Sequence, residues 1–323
     1  MIRVSVIIPA YNRSKMLERT LNSLCHQTLE SDQYEIIVAD NASSDDTVEV
    51  VEACAKREKV KIQVFTECRR GVHYARNSAA KLAQGEFLYY TDDDMEADPD
   101  MLRSLLDVFE KHPEVGCATG RVLPLWEQEP PEWMLAHCTN NGLLSLQLRS
   151  EELVISKKDV GVWSCHEMFR REFFFKTNGF HPENTAGEWV GDGETGLHRK
   201  MASLGCLFAF VGGSVTHHMI PPERLTQRYL NHRMINQGNS DSFARYREFR
   251  QSDYQLLRGV ATSARRLVSC FISSSLKRIK GDDIWHLRRA RCYYHIARIK
   301  YDLRIYRDPA WVEMILQESW LDE

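Results

Sequence analysis

The sequence predicts an α/β fold: a mainly parallel central sheet with helices on both faces, followed by a helical C-terminal extension. Three observations carry this. Short apolar, β-branched runs alternate with amphipathic helical stretches through the first 120 residues. Each apolar run ends in turn or capping residues, as strands of a wound sheet do. From residue 223 onward the apolar spacing is helical almost throughout, with Lys and Arg interspersed.

In chain order, VSVII (4–8) reads as a buried strand, and Ser14 as the cap of a helix with Leu17, Leu21 and Leu24 on one stripe. YEIIVAD (34–40) is a second strand, and NASSDDT leads into a helix over about 46–58. VKIQVF (60–65) is a third strand, GVHYARNSAAKLAQG (71–85) a glycine-bounded helix and EFLYYT (86–91) a fourth strand. Pro99 opens a helix through Leu102, Leu105 and Leu106. Beyond residue 120 the pattern changes: EQEPPEW (127–133) is a loop, short strands fall within 142–155 and 206–212, and helices cover 166–177 and 192–204. The C-terminal helices are predicted to break near Gly238-Asn239, Gly281-Asp282-Asp283 and Asp308-Pro309.

The composition of the 323-residue chain, 43% hydrophobic and 27% charged, is that of a globular protein. No apolar run approaches the roughly 18 residues of a membrane span, and the N-terminal stretch lacks the form of a signal peptide. Nine scattered cysteines without a C-x-x-C pair argue against zinc and against a disulfide framework, and point to a cytoplasmic protein. Between Glu223 and Asp308 stand 19 Lys and Arg against 8 Asp and Glu, although the whole chain carries −3. The rest is therefore acidic, which argues against a nucleic-acid partner.

Asp92, Asp93 and Asp94 crowd the carboxyl end of the fourth strand. Ligands of wound sheets bind beyond the carboxyl ends of the strands. Crowded carboxylates repel, so either solvent or a divalent cation must offset the cost. If the chain stays extended, Asp92 and Asp94 share one face. A hard divalent ion suits such oxygens and shares them with substrate phosphates.

VIIPAYNR, VADNASSDDT, GVHYARNSA and YYTDDDM stand in this order at successive strand ends, followed by GDGETGLHRKMASLG (191–205) and VTHHMIPPERLT (215–226). Together they resemble the family 2 glycosyltransferases, whose Rossmann-like catalytic domain has the GT-A fold. The resemblance covers roughly residues 3–226, and implies a catalytic domain at 1–226 with a basic helical extension at 227–323. It implies that Pro9, Ala10 and Tyr11 contact the nucleotide and that Asp40 hydrogen-bonds the base, a helix cap being the structural alternative for Asp40. Arg76 would lie near the diphosphate, and Asp92 near the ribose or sugar. Asp93 has no fixed part in the pattern; it would bind the donor sugar or be solvated. Asp94 matches the ligand of a divalent cation, Mn²⁺ or Mg²⁺.

Asp192 matches the catalytic base, and Glu194 would orient it or hold the acceptor; both could instead cap the helix they precede. His218, with His217 as the fallback, would add a metal or diphosphate contact, and Arg224 would reach the diphosphate with its planar fork. The chain departs from the family at WSCHEMFRRE (163–172): Cys165, His166 and Glu167 replace small residues and an Asn, leaving the sugar open. Trp163 and Trp189 either stack on a sugar ring or pack in the core.

The implied function is inverting, metal-assisted transfer from a nucleotide-sugar, a UDP-sugar first, to a hydroxyl of a glycan, a lipid-linked saccharide or a small molecule. The alternatives are a catalytically inactive nucleotide-sugar-binding or scaffold protein, and a sugar-phosphate nucleotidyltransferase. The latter needs a glycine-rich basic loop where PAYNR stands. The basic amphipathic stretches 253–280 and 284–306 pack as a helical hairpin, form a homodimer interface, or lie on the inner face of the cytoplasmic membrane.

Overall fold

The structure, a computed structural model, describes residues 1–139, 142–182, 184–185 and 188–321. The four N-terminal apolar runs form β1 (Val4–Ala10), β2 (Tyr34–Asp40), β3 (Lys61–Thr66) and β4 (Phe87–Thr91), separated by α1 (Ser14–Cys25), α2 (Thr47–Arg57) and α3 (Val72–Leu82). Then come β5 (Met95–Ala97), α4 (Met101–Lys111), β6 (Val115–Trp126), α5 (Glu132–Cys138), β7 (Leu153–Ser156), β8 (His166–Arg170) and α6 (Arg171–Lys176). The two-residue strands β9 (Asn184–Thr185) and β10 (Glu188–Trp189) precede α7 (Gly193–Ser203) and the long β11 (Leu207–Ile220). A 3₁₀ turn at Pro222–Leu225 leads into α8 (Gln227–Phe249), α9 (Asp253–Ile279), α10 (Trp285–Arg307) and α11 (Pro309–Leu316).

The strands of the main sheet run in the order β3-β2-β1-β4-β8-β6-β11-β5, with β7 also beside β11. β1 to β4 are parallel, β8 is antiparallel to both β4 and β6, and β6 is parallel to β11. Alternation along β1 explains why all of it is buried. Val4, Val6 and Ile8 pack with Leu17, Leu21 and Leu105 on one face, while Ile7 packs with Ala75, Ala79 and Phe208 on the other. The predicted wound sheet and helical C-terminal region are both present.

The structure corrects four local expectations. Ser14 does not cap α1; it is the first helical residue, and its N–H donates to Asp45 Oδ2 at 3.0 Å. The stretch 166–177 is not one helix, because His166–Arg170 is wedged as β8 between β4 and β6. β6 was not anticipated: its glycines Gly116 and Gly120 hide its strand character, yet each is required by close packing. A Cβ on Gly120 would lie 2.1 Å from the Ser214 carbonyl oxygen. Gly238 does not break a helix; α8 runs through it, and the break comes at Arg250, in the left-handed region, before Ser252 caps α9. The breaks predicted near 281–283 and 308–309 do occur.

Gly238 lets α8 approach α10: a Cβ there would stand 2.5 Å from the Tyr294 carbonyl oxygen. Gly238→Val is expected to lower stability by about 1–3 kcal/mol through overpacking, read as an earlier urea midpoint. An unchanged midpoint would contradict this packing.

Candidate active site

An open cleft of about 620 Å³ lies beyond the carboxyl ends of β1, β2 and β4. Pro9 and Ala10 end β1 there, and Tyr11 projects from the loop that follows. Asn41, just after β2, lines the cleft, as do Arg70 and Gly71 before α3. Asp92, Asp93 and Asp94 form its floor, with Arg13, Arg224 and Arg233 around them.

The chain turns at Asp93 and Asp94 instead of staying extended. The pair brought together is therefore Asp93 and Asp94, not Asp92 and Asp94. Arg13 Nη1 donates to Asp93 Oδ1 at 3.0 Å and to Asp94 Oδ2 at 2.9 Å. Arg224 Nη2 donates to the same Asp94 oxygen at 2.6 Å. Asp94 Oδ1 is buried and has no hydrogen-bond partner among the described residues. Burial opposes ionisation of Asp94, but the Arg224 and Arg13 guanidiniums outweigh it and hold the carboxyl well below its usual range. Its neighbour moves the other way: burial, against Arg13 and with the nearby Asp94 and Asp92 charges, pushes Asp93 up to about 7.

β11 supplies the histidines. His217 Nε2 lies 3.0 Å from Asp98 Oδ1, away from Asp94. His218 Nδ1 donates to the Leu144 carbonyl at 2.9 Å, since a carbonyl can only accept. That leaves its Nε2 facing Asp94 Oδ2 at 3.7 Å, and Arg224 Nη1 donates to it. Of the two histidines, His218 is the one at the aspartate cluster.

Arg76, 2% exposed on α3, donates to Asp92 Oδ1 at 2.5 Å and to the Ser164 carbonyl at 3.2 Å. Asp40 is buried behind Asn41. Its Oδ1 accepts from the Ser43 N–H at 3.0 Å, and its Oδ2 from Thr66 Oγ1 at 3.3 Å. The cap foreseen for Asp40 is thus a loop turn and not a bond into α2.

The carboxylates at the start of α7 point to different surroundings. Asp192 makes no side-chain capping bond. Its Oδ1 lies 3.1 Å from His181 Nδ1, and Gly196 leaves it room, a Cβ there standing 2.0 Å from that oxygen. Lys200, pulled down to about 8 by burial, and Arg247 feel the Asp192 charge. Glu194 acts elsewhere: its charge bears on His73, Cys165 and Glu167, and Asp92 acts on the first two.

The residues that depart from the family pattern are structural. Cys165, His166 and Glu167 are buried. His166 bonds Tyr89 Oη at 2.9 Å and Ser214 Oγ at 3.2 Å. Glu167 Oε2 lies 2.9 Å from His198 Nε2, whose Nδ1 lies 2.8 Å from Asp159. Burial alone would depress His198, but the two carboxylates raise it to about 10, so it is an imidazolium that ties α7 to β8. Trp163 donates to the Leu146 carbonyl at 3.2 Å and packs over Gly142, away from the cleft. The side chain of Trp189 lies outside the described residues.

Sequence reasoning missed Arg13, Asn41, Arg70 and Arg233. Arg13 and Asn41 stood inside the quoted VIIPAYNR and VADNASSDDT blocks, and that adjacency was the available signal. Arg233 carries none, since α8 brings it to the cleft from 139 positions beyond Asp94.

The profile of the family described as Glycosyl transferase family 2 matches residues 5–176. The chain is 36% identical over 103 residues to validoxylamine A glucosyltransferase of Streptomyces hygroscopicus subsp. jinggangensis, covering 32% of this chain and 24% of that protein. It is 26% identical over 187 residues to the glucosyl-dolichyl phosphate glucuronosyltransferase of Haloferax volcanii, covering 55% and 56%. The match thus spans about a quarter of the first relative's length and about half of the second's. Among solved structures, the mannosyltransferase PcManGT of Pyrobaculum calidifontis in complex with GDP-Man and Mn²⁺ superposes with a TM-score of 0.61 at 18% identity, covering 93% of this chain and 87% of that one. S. aureus TarS 1–349 in complex with UDP-GlcNAc gives 0.50 at 18% identity, covering 93% and 91%. At that identity the likeness is one of fold.

Because Asp93 has a raised folded-state value, ionising it costs stability as pH climbs from about 4 to about 7, the cost being absent below its unfolded value. Asp93→Asn is therefore expected to melt about 3 °C or more above the parent at pH 8 and to lose that advantage near pH 4. Scanning calorimetry across pH checks it; a pH-independent difference would refute it.

Proposed function

Because the chain belongs to glycosyl transferase family 2, we propose that it moves a sugar from a nucleoside diphosphate-sugar, a UDP-sugar first, to a hydroxyl acceptor by a single inverting displacement. Residues 1–226 would form the catalytic unit and 227–323 its helical extension. The observation that carries this reading is the buried Asp94 Oδ1, unpartnered among the described residues, on a carboxylate whose other oxygen lies 3.7 Å from His218 Nε2 at the tip of the sheet.

Asp94 Oδ1 fits a divalent cation, Mn²⁺ or Mg²⁺, that shares donor phosphate oxygens, and His218 Nε2 would join it once Arg224 Nη1 releases that nitrogen. Among the described residues no group of three or more His, Cys, Asp or Glu is set to hold a metal by itself. When bound, such an ion takes charge off the leaving diphosphate. The chain's own groups do the rest. Arg13, Arg224 and Arg233 present guanidiniums to the diphosphate, and Asp92, held by Arg76, faces the sugar or ribose. Tyr11, Pro9 and Ala10 border the nucleotide. Asp40 would take a base N–H with the remaining lone pairs of its oxygens, from behind Asn41.

For the base, family resemblance favours Asp192 and the surroundings favour Glu194. Asp192 Oδ1 lies 3.1 Å from His181 Nδ1, and the charge of Glu194 reaches His73 and Cys165, as that of Asp92 does. We assign proton removal from the acceptor hydroxyl to Glu194 and positioning of the α7 start to Asp192. With Mn²⁺ and a panel of UDP-sugars and acceptors, Glu194→Gln is expected to lower kcat by about 10²–10⁴-fold without weakening UDP binding. Asp192→Asn is expected to lower it less; the reverse order would return the base role to Asp192. Tight UDP binding with no turnover of any donor would favour the inactive-binder alternative.

The extension supports peripheral contact with an anionic membrane. α9 packs one side on α10 and exposes Val268, Phe271, Ile272, Leu276 and Ile279 on the other, Phe271 at 66% and Ile279 at 83%. Arg265, Lys277 and Lys280 flank this stripe, which matches an interfacial helix. No described helix is long and apolar enough to cross a membrane. The protein is expected to sediment with vesicles containing phosphatidylglycerol but not with phosphatidylcholine alone, and Phe271→Glu/Ile272→Glu should abolish this. A dimer in solution that the same variant dissociates, with no vesicle binding, would assign the stripe to a second copy.

A further inference from the structure

A second cavity, of about 1150 Å³, opens beside the donor cleft between α8, the end of α9 and the start of α10. Its lining has three features. Arg228, Arg278 and Arg289 contribute guanidiniums against one acid, Glu223. Tyr229, Trp285 and Tyr293 contribute aromatic surface. Gln227 and Asn231 contribute amides.

The floor of the cavity is built. Gln227 Nε2 donates to Asn231 Oδ1 at 2.7 Å and to the His286 carbonyl at 3.2 Å, and Gln227 Oε1 accepts from His286 Nδ1 at 2.5 Å. Trp285 stacks on His286 with ring centroids 3.8 Å apart, and His286 stacks on Trp133 at 4.0 Å. Arg278 stands over the Trp285 ring at 5.1 Å. These contacts hold the rings and amides in place before any ligand arrives.

The cavity adjoins the donor cleft along two stretches of chain. Glu223 lines the cavity while Arg224 lines the cleft, and His232 lines the cavity while Arg233 lines the cleft. Arg224 itself stands over the Tyr229 ring at 5.9 Å. The two openings are thus neighbours at the 3₁₀ turn and the first turns of α8, with Tyr229 of the cavity beside the arginine that bonds Asp94.

We propose that this cavity is the acceptor subsite and that it takes an anionic saccharide, one carrying phosphate or carboxylate groups along its chain. The inference rests on the transferase reading and deepens it. Aromatic faces stack on the C–H faces of sugar rings, amides take hydroxyls, and guanidiniums take phosphate or carboxylate in a planar fork. Three guanidiniums against one carboxylate select against a neutral chain.

The test uses the full chain and three probes: maltohexaose, phosphorylated maltohexaose and a hexameric uronate. Binding is measured by calorimetry at low salt, and UDP binding with Mn²⁺ is measured in parallel. At least one anionic hexamer is expected to bind about tenfold or more tighter than maltohexaose, a difference that shrinks as salt screens it. Which one does so distinguishes phosphate from carboxylate. Arg278→Gln/Arg289→Gln should erase the difference and leave UDP binding unchanged. Trp285→Ala should weaken all three hexamers. Equal affinity for neutral and anionic hexamers, or a preference that survives the double variant, would overturn the proposal. Loss of UDP binding in the parent protein would count against the donor reading instead, because the hexamer comparison does not depend on it.

Discussion

The site depends on one electrostatic constraint: two adjacent buried carboxylates must share the sheet tip without both being fully charged and unpaired. Arg13 answers it by donating to both Asp93 and Asp94 from a single nitrogen. Arg224 then biases the pair by adding a second bond to Asp94 alone. The result is one carboxylate held strongly ionised and one poised near neutrality, an outcome that like charges at close range impose. Strand β4 delivers the pair, α1 carries Arg13 at its start, and the 3₁₀ turn after β11 carries Arg224. Three distant segments thus meet at one anion pair.

A second buried ion cluster places the other half of the site. His198 on α7 sits as a cation between Asp159 and Glu167, and Glu167 lies on β8 at the centre of the sheet. Removing one member of such a cluster leaves an uncompensated buried charge, at a cost of about 3–5 kcal/mol. This is why the Cys165-His166-Glu167 stretch carries polar groups inside the core. Those groups hold the helix that presents Asp192 and Glu194.

Much of this was readable from the chain alone where local rules suffice. β1 to β4 were legible because each is a short apolar run closed by turn residues, and the aspartate tip because acids rarely end a buried strand without reason. β6 and β8 were not, because glycines and polar residues mask strands whose packing is set by neighbours far away in sequence. The geometry of the tip also escaped, since extended spacing pairs Asp92 with Asp94 whereas the turn pairs Asp93 with Asp94. The link between Glu167 and His198 spans 31 positions and has no sequence periodicity to betray it.

Arg224 stands one residue beyond two consecutive prolines, Pro221 and Pro222, whose rings restrict the backbone ahead of it; φ of Pro221 is −74°. Any move of this guanidinium away from Asp94 therefore runs through its own side-chain torsions while its main chain stays put. The torsions move between staggered wells, and the loop need not hinge. The diproline sets this arginine on a stiff post, so that a change of partner at the cleft mouth asks nothing of the loop that bears it.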